Sequence, residues 1–270
     1  MNESPKRLSV IIASYNDKRI ERAIRSVRYF DDVNTVRLVV IDGGSSPDVI
    51  ELIRSHLTPD DVLISERDRG IFDGLNKGLD NCSTEFLGWL GSDDLFTGKV
   101  MASDVLRNLE NNDLYIANVA FFRGTKVRRI TYALPSRFGL VKFGIHNPHY
   151  GTFGRVSLLR SERFDLSLLG SDIDYFHKIF DRKPRIVTDT KIATLQFEGG
   201  FSNASYRKML NINWQLLATY ARFNNVVIAP VLLLTKVGYT ALMRARFTLF
   251  PVDVRSLDFP VLAAQKDITL

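Results

Sequence analysis

A single cysteine, Cys82, stands among 270 residues. No disulfide can form within the chain, which suits a reducing compartment. Several signatures of common chemistries are also missing. There is no GxGxxG after the first candidate strand, so the usual dinucleotide fingerprint is absent. GxxxxGK[ST] and GxSxG are absent too, which argues against a P-loop nucleotide hydrolase and a nucleophile-elbow hydrolase. His and Cys do not cluster at zinc-site spacings.

Acid is missing from one long stretch. Between Asn203 and Phe250 there is no Asp or Glu, and from Asn203 to the end eight Lys/Arg face three Asp/Glu. That local excess of +5 is nearly the whole formal charge of +6. Unbroken apolar runs are scarce as well. Residues 226–250 are long enough to span a bilayer as a helix, but Pro230, Lys236, Arg244 and Arg246 interrupt them. Lys236, Thr240, Arg244 and Thr248 fall four apart, one polar stripe on a helix. A helix of that kind can lie in the interface of an anionic membrane; the alternatives are packing on the domain or a homodimer contact. The tail has no aromatic stacking pattern, so nucleic acid is not the expected partner. The polar start, Met1 to Arg7, predicts no secretory leader.

What is present is an ordinary globular composition, 45% hydrophobic and 24% charged, enough for a sizeable core. Arg7 to Ser14 reads as a β-branched strand, followed by a helix with Ile20, Ala23, Ile24 and Val27 on one face. Val36 to Ile41, Val62 to Ser65 and Phe86 to Leu90 are further strands. Helices are expected over residues 48–56, 71–79 and 97–111. This βαβαβαβα rhythm predicts an α/β fold with a mostly parallel central sheet covered on both faces.

After Asn112 the rhythm changes to α+β. Leu114 to Phe122 and Lys126 to Tyr132 predict paired strands. Shorter strands are expected at residues 152–156, 185–188 and 192–197, with a helix over 172–180. Apolar spacing between Ser205 and Phe223 predicts a packed C-terminal helix. The division expected is residues 1–112 as the parallel α/β half, 113–202 as an α+β second binding surface, and 203–270 as a basic, apolar helical region.

Polar groups fall at the ends of successive parallel strands: Ser14-Tyr15-Asn16, Asp42, Asp68, and Gly91-Ser92-Asp93-Asp94. Open α/β sheets bind ligands at the carboxyl ends of their strands. Paired carboxylates at a strand tip suit a hard divalent cation that shares phosphate oxygens. A bare helix cap would also use Asp, but convergence of four strand tips favours a site.

These residues carry a resemblance. Val10-Ile11-Ile12-Ala13-Ser14-Tyr15-Asn16, Val40-Ile41-Asp42-Gly43-Gly44-Ser45-Ser46-Pro47-Asp48 and Ser65-Glu66-Arg67-Asp68-Arg69-Gly70-Ile71-Phe72-Asp73-Gly74-Leu75-Asn76-Lys77-Gly78 are similar to successive blocks of family 2 inverting glycosyltransferases with the GT-A (Rossmann-like) fold. Gly91-Ser92-Asp93-Asp94 falls where that family has its metal motif. His149 with Phe153 and Arg155, Ser171-Asp172-Ile173-Asp174-Tyr175, and Glu198-Gly199-Gly200-Phe201-Ser202 resemble later blocks of small bacterial members that build surface polysaccharides. The resemblance covers about residues 7–210.

It implies a sugar transfer from a nucleotide diphosphate, UDP above others, to an acceptor hydroxyl on a glycan or lipid-linked glycan at the inner face of the membrane. It also implies Mg²⁺ or Mn²⁺. By position, Ser14, Tyr15 and Asn16 would flank the base, and Asp42 would accept its N–H. Asp68, Asn76 and Lys77 would line the nucleotide and diphosphate. Asp94, with Asp93, would hold the metal, and His149 would contact a phosphate or the acceptor. Asp172 would be the base, with Asp174 as second choice. A sugar nucleotidyltransferase and a non-catalytic glycan- or transferase-binding subunit are the rival readings.

Overall fold

The computed structural model describes residues 5–134, 148–197, 214, 215, 217, 221 and 229–264. Its organising strand is β1 (Leu8–Ser14), apolar at nearly every position because both its faces are covered. Leu8, Val10 and Ile12 enter one core with helices α1 (Ile20–Phe30), α2 (Pro47–Ser55) and α4 (Ala102–Leu109). Ile11 enters the opposite core with α3 (Ile71–Asn81) and α6 (Ser171–Asp181). Alternation of side chains along a strand sends neighbours to opposite layers, so one strand joins both cores.

β1 pairs in parallel with β2 (Val36–Asp42) and β4 (Phe86–Gly91), and β2 with β3 (Val62–Ser65). The register sets Ser14 beside Asp42, Asp42 beside Ser65, and Ala13 beside Gly91. The four strand tips therefore share one edge, and the loops leaving them face the same side. The sheet continues through β8 (Thr152–Arg155), β6 (Leu114–Arg123), β7 (Lys126–Thr131) and β10 (Val252–Asp253), each antiparallel to the strand before it in this order. Residues on either side of Asn112 thus belong to one continuous sheet.

Two expectations are revised. The strands expected at 185–188 and 192–197 are a single strand, β9 (Ile186–Phe197), parallel to β6. Asp189-Thr190-Lys191 reads as a turn in sequence. In the fold, register shifts around Asn118 absorb it, the Tyr115 hydroxyl donates to Asp189 at 2.8 Å, and the Asn118 amide donates to Thr190 O. The helix expected from Thr97 starts at Ala102. Leu95–Phe96 forms a short strand, β5, against β9, and Gly98 takes a positive φ of 79° that no helix tolerates. A short helix, α5 (Val156–Leu159), follows β8.

The C-terminal helix α7 (Ala229–Leu249) packs on β7, and Phe247 joins Val254 and Phe259 in a third core with Ala120, Phe122, Val127 and Leu195. A last short helix, α8 (Pro260–Ala264), ends the described chain. The side chains of Lys236, Thr240 and Arg244, and most of the helix expected from Ser205 to Phe223, lie outside the described residues, as does the Glu198–Ser202 block. Among the described residues no helix is long and apolar enough to cross a membrane.

Candidate functional site

The loops after β1 and β2 are tied together before any ligand arrives. The Asn16 N–H donates to Ser45 Oγ at 2.7 Å, the Ser46 N–H donates to Asn16 Oδ1 at 2.9 Å, and the Gly43 N–H donates to Ser14 O at 2.8 Å. Asn16 takes the left-handed conformation, φ 48°, which its short amide tolerates. Beside it Tyr15 stands out from the surface, 65% exposed, a ring with a free face at the mouth of the site. Ser14 is buried in the strand tip.

Asp42 departs from expectation. Its side chain is fully buried, and both oxygens are occupied. Oδ2 accepts from the Gly44 and Ser45 N–H groups at 3.1 and 2.9 Å and from the Ser65 hydroxyl at 2.8 Å, while Oδ1 accepts from the Ser45 hydroxyl. Asp42, expected to accept from a base, is here held by four local donors. A carboxylate with four local donors stabilises its own loop, as turn-forming Asp residues do. Asp68 lies nearer the surface, against Gly43. A Cβ on Gly43 would lie 2.8 Å from Asp68 Oδ2, so only glycine lets that carboxylate in. Asp68 Oδ1 accepts from the Gly70 N–H at 2.9 Å, and Asp68 is half-buried.

Two further expected residues, Asn76 and Lys77, have partners within the fold. Both amide atoms of Asn76 are committed to Phe164: Nδ2 donates to its carbonyl at 2.9 Å and Oδ1 accepts its N–H at 3.0 Å. Expected along the nucleotide, Asn76 instead clamps α3 to the segment before α6. It sits two residues from Gly74, and residues two apart on a helix do not share a face. Lys77 lies 2.7 Å from Glu66 and 3.9 Å from Asp73, and that pairing with Glu66 raises its pKa.

The metal motif follows the β4 tip. Asp94 is 2% exposed, and the Phe197 N–H at the end of β9 donates to its Oδ1 at 3.1 Å. A Cβ on Gly91 would fall 2.3 Å from Asp94 Oδ2, so glycine is what leaves the carboxylate room. Burial, and then the neighbouring Asp93 charge, push Asp94 well above the usual carboxylate range. Asp93 is raised too, mainly by burial, although Arg19 opposes the shift. Two desolvated oxygen-donor groups side by side are what a hard cation relieves. The residues fit Mg²⁺ or Mn²⁺ on that ground. Among the described residues no group of three or more His, Cys, Asp or Glu could hold a metal, so a cation here also needs phosphate or water ligands.

Sequence reasoning missed the charges around this pair. Arg19, at the start of α1, holds Asp17 through Nε and Nη2, both at 2.9 Å, and reaches Asp93 with Nη1 at 3.3 Å. Burial pushes Asp17 up, but its bonds to Arg19 win and hold it below the usual range. Arg22, one turn on, lies over the Phe197 ring at 5.1 Å, and burial lowers its pKa. No spacing rule would have found them, because their partners come from β4 and β9.

Asp172 lies in the first turn of α6, half-buried. Tyr150 connects it to the metal motif. Burial raises the Tyr150 phenol, and the charges of Asp94, Asp172 and Asp93 raise it further. A single ring thus feels all three carboxylates. Asp174 differs: it is fully buried and pairs with Lys178 at 2.7 Å. His149 is packed among Trp89, Tyr150, Phe164 and Phe176, with ring centroids 5.0, 4.7, 5.7 and 5.3 Å away. Its Nε2 is sealed from solvent with no partner among the described residues, and burial holds its pKa down at about 3. An imidazole held neutral in an aromatic box can still donate one N–H.

The model of the family described as Glycosyl transferase family 2 matches residues 9–165. An uncharacterized glycosyltransferase of Mycobacterium tuberculosis is 32% identical over 103 residues, 38% of this chain and 39% of the relative. The match thus spans about two fifths of that relative's length. Among solved structures, residues 1–349 of Staphylococcus aureus TarS in complex with UDP-GlcNAc superpose with a TM-score of 0.62 at 16% identity, over 90% of this chain and 75% of that one. A mannosyltransferase from Pyrobaculum calidifontis, in complex with GDP-Man and Mn²⁺, gives 0.59 at 16% identity over 99% and 78%. The glucosyl-3-phosphoglycerate synthase of Mycobacterium tuberculosis, with Mn²⁺, UDP and glucosyl-3-phosphoglycerate, gives 0.53 at 18% identity over 81% and 80%. At these identities the likeness is one of fold.

Proposed function

Because the chain belongs to glycosyltransferase family 2, we propose that it transfers a sugar from a nucleotide diphosphate sugar, UDP above others, to an acceptor hydroxyl with inversion. The carrying observation is the acid pair Asp93-Asp94 just past the β4 tip, on the edge the parallel strand tips share, with Asp94 buried and bonded by the Phe197 N–H and Asp93 3.3 Å from Arg19. The half-buried Asp172, in the first turn of α6, supports this reading as a separate carboxylate for acceptor activation.

In this reading Tyr15 stacks on the base, and Asn16 and Ser14 fix the loop beneath it. Asp68 accepts the base N–H in place of Asp42. Lys77, balanced by Glu66, lies toward the diphosphate side. Asp94 and Asp93 would hold Mg²⁺ or Mn²⁺, which would supply positive charge against the departing diphosphate. Asp172 takes the proton from the acceptor hydroxyl as its oxygen attacks the anomeric carbon from the face opposite the nucleotide. The sugar–phosphate bond breaks, and the nucleoside diphosphate leaves with the bonding pair. Asp174, paired to Lys178, is the poorer base because its proton acceptor is already neutralised.

The acceptor is a lipid-linked glycan at the inner membrane face, in surface polysaccharide assembly. Support comes from the acid-free basic tail and from α7, where Val231, Leu234, Leu242 and Leu249 are all exposed. These four fall on one helical face with no charge among them, the kind of face that enters a lipid interface. A homodimer through the same face is the competing arrangement.

Calorimetric titration with UDP, with and without Mn²⁺, tests the donor site. Binding should strengthen with Mn²⁺ in the wild type and not in Asp94→Ala. Equal, metal-independent binding in both would remove the metal role. A screen of nucleotide sugars for donor hydrolysis would then name the sugar.

A further inference from the structure

Next to the metal motif the described residues form a closed ring of contacts. Ser92 donates its hydroxyl to Asp17 Oδ2 at 3.1 Å, and Arg19 grips the same carboxylate with two nitrogens at 2.9 Å. The remaining guanidinium nitrogen, Nη1, lies 3.3 Å from Asp93 Oδ2, and Asp93 is bonded to Ser92 in the chain. Ser92, the hydroxyl in the first position of the Ser-Asp-Asp motif, is thus turned toward Asp17. The ring closes over 75 residues of sequence between Asp17 and Ser92.

We propose that Arg19 is a built-in counter-cation of the metal floor, clamped by Asp17 so that it shares Asp93 with any divalent ion that binds there. The inference rests on the metal reading of Asp93 and Asp94. Its grounds are geometric. Asp93 and Asp94 are two desolvated acids with one guanidinium within ion-pair distance of Asp93. The backbone of Arg19 is fixed at the start of α1, and its N–H also donates to Asp17 Oδ1 at 3.0 Å. A side chain held by two bonds to a carboxylate that its own backbone N–H also bonds cannot swing fully away. A cation entering beside Asp93 therefore meets a resident positive charge at close range, and like charges weaken each other's binding.

The positioning role has a direction that a merely structural one lacks: removing Arg19 tightens metal binding. Mn²⁺ alone is titrated into the full chain, with free Mn²⁺ read by its paramagnetic resonance signal. Arg19→Gln is expected to bind Mn²⁺ about two- to fivefold more tightly than the wild type, the scale of a partly exposed ion pair. That gap should shrink when salt is raised from about 0.05 M to about 0.5 M. Arg19→Lys keeps the charge but lacks the fork that bridges two carboxylates, so it should fall between the two. In melts, the metal-free Arg19→Gln protein should be the less stable, and Mn²⁺ should raise its midpoint more than it raises the wild type's. If Arg19→Gln does not fold, Arg19→Lys carries the test, and affinity equal to wild type overturns the proposal.

Unchanged or weaker Mn²⁺ binding in Arg19→Gln would also overturn it, with the metal site itself left standing. Absence of Mn²⁺ binding from the wild type, alone and with UDP, would instead remove the metal reading and the proposal together. Asp94→Ala marks the signal of a chain without the site.

Discussion

The backbone N–H of Phe197 donates to the Asp94 carboxylate at 3.1 Å, joining positions 103 residues apart. Through this bond the end of β9 holds the candidate acid pair at the end of β4. Asp94 is thereby fixed in a buried position where its charge is costly without a cation. Strain of that kind is common where a site waits for a ligand.

Asp94→Asn should therefore stabilise the metal-free protein at neutral pH by about 1 kcal/mol, an ordinary gain at a site built for function. The sign follows from the raised pKa of Asp94. Its contribution to stability is full below the usual carboxylate range and is lost as pH rises through the raised value. Urea unfolding of both proteins at pH 5 and pH 8 should show the variant's advantage growing with pH. A constant gap would mean that Asp94 is not desolvated.

His149 titrates in the opposite sense. Its pKa is held down at about 3, so its contribution is full above the ordinary imidazole range near 6.5 and is lost as pH falls toward 3. Between pH 6.5 and pH 5 the wild type should lose about 2 kcal/mol relative to His149→Phe, which keeps the ring packing and removes the proton site. Parallel urea midpoints across that window would place the imidazole in water.

Asp172→Asn should lower transfer by about 10²- to 10⁴-fold, the usual worth of a general base, while UDP affinity stays within about twofold. Asp174→Asn should do something different. It leaves the Lys178 ammonium without its buried partner and should cost about 2 kcal/mol of stability. Turnover and denaturation midpoints measured on the two variants separate the roles. Full activity in Asp172→Asn would move the base elsewhere.

Asp42 and Asp68 are separated by the same logic. Asp42→Ala strands four donors in a buried loop and should cost about 2–3 kcal/mol, with UDP binding lost as a consequence. Asp68→Ala, whose carboxylate accepts one local bond, should weaken UDP binding with little change in the melting midpoint. Equal destabilisation by both would show that Asp68 is also a structural residue.

On α7, Leu234→Glu should reduce sedimentation with vesicles rich in anionic lipid and leave the melting midpoint unchanged, since Leu234 is 71% exposed. Unchanged sedimentation with a shift from dimer to monomer on gel filtration would give the face to a second copy of the chain.

Much of the fold was legible in order. The β-branched run ending at Ser14 and the apolar run ending at Gly91 announced strands buried on both faces, and a parallel arrangement puts their tips on one edge whatever the loops do. β9 was legible only in halves, because Asp189-Thr190-Lys191 has the composition of a turn. Tyr115 and Asn118, far away in sequence, supply the hydrogen bonds that let the strand run through.

That Gly91-Ser92-Asp93-Asp94 ends a buried strand was legible from local pattern, whereas Asp172 was singled out only through the family resemblance. The environment of these acids was not legible. Whether a carboxylate is free or occupied depends on donors brought by other elements. For that reason Asp42 was read as facing the ligand, although Ser45 and Ser65 fill it, and Asn76 was read as lining the nucleotide, although Phe164 takes both its amide atoms. Arg19, Arg22 and Tyr150 had no signal in the sequence at all. The chain by itself determined which strands form and which acids end them, because hydrophobic period and turn chemistry act over a few residues. Only the tertiary structure decided which of those acids are paired and which are left for a ligand, because charge and burial are summed over every element that meets there.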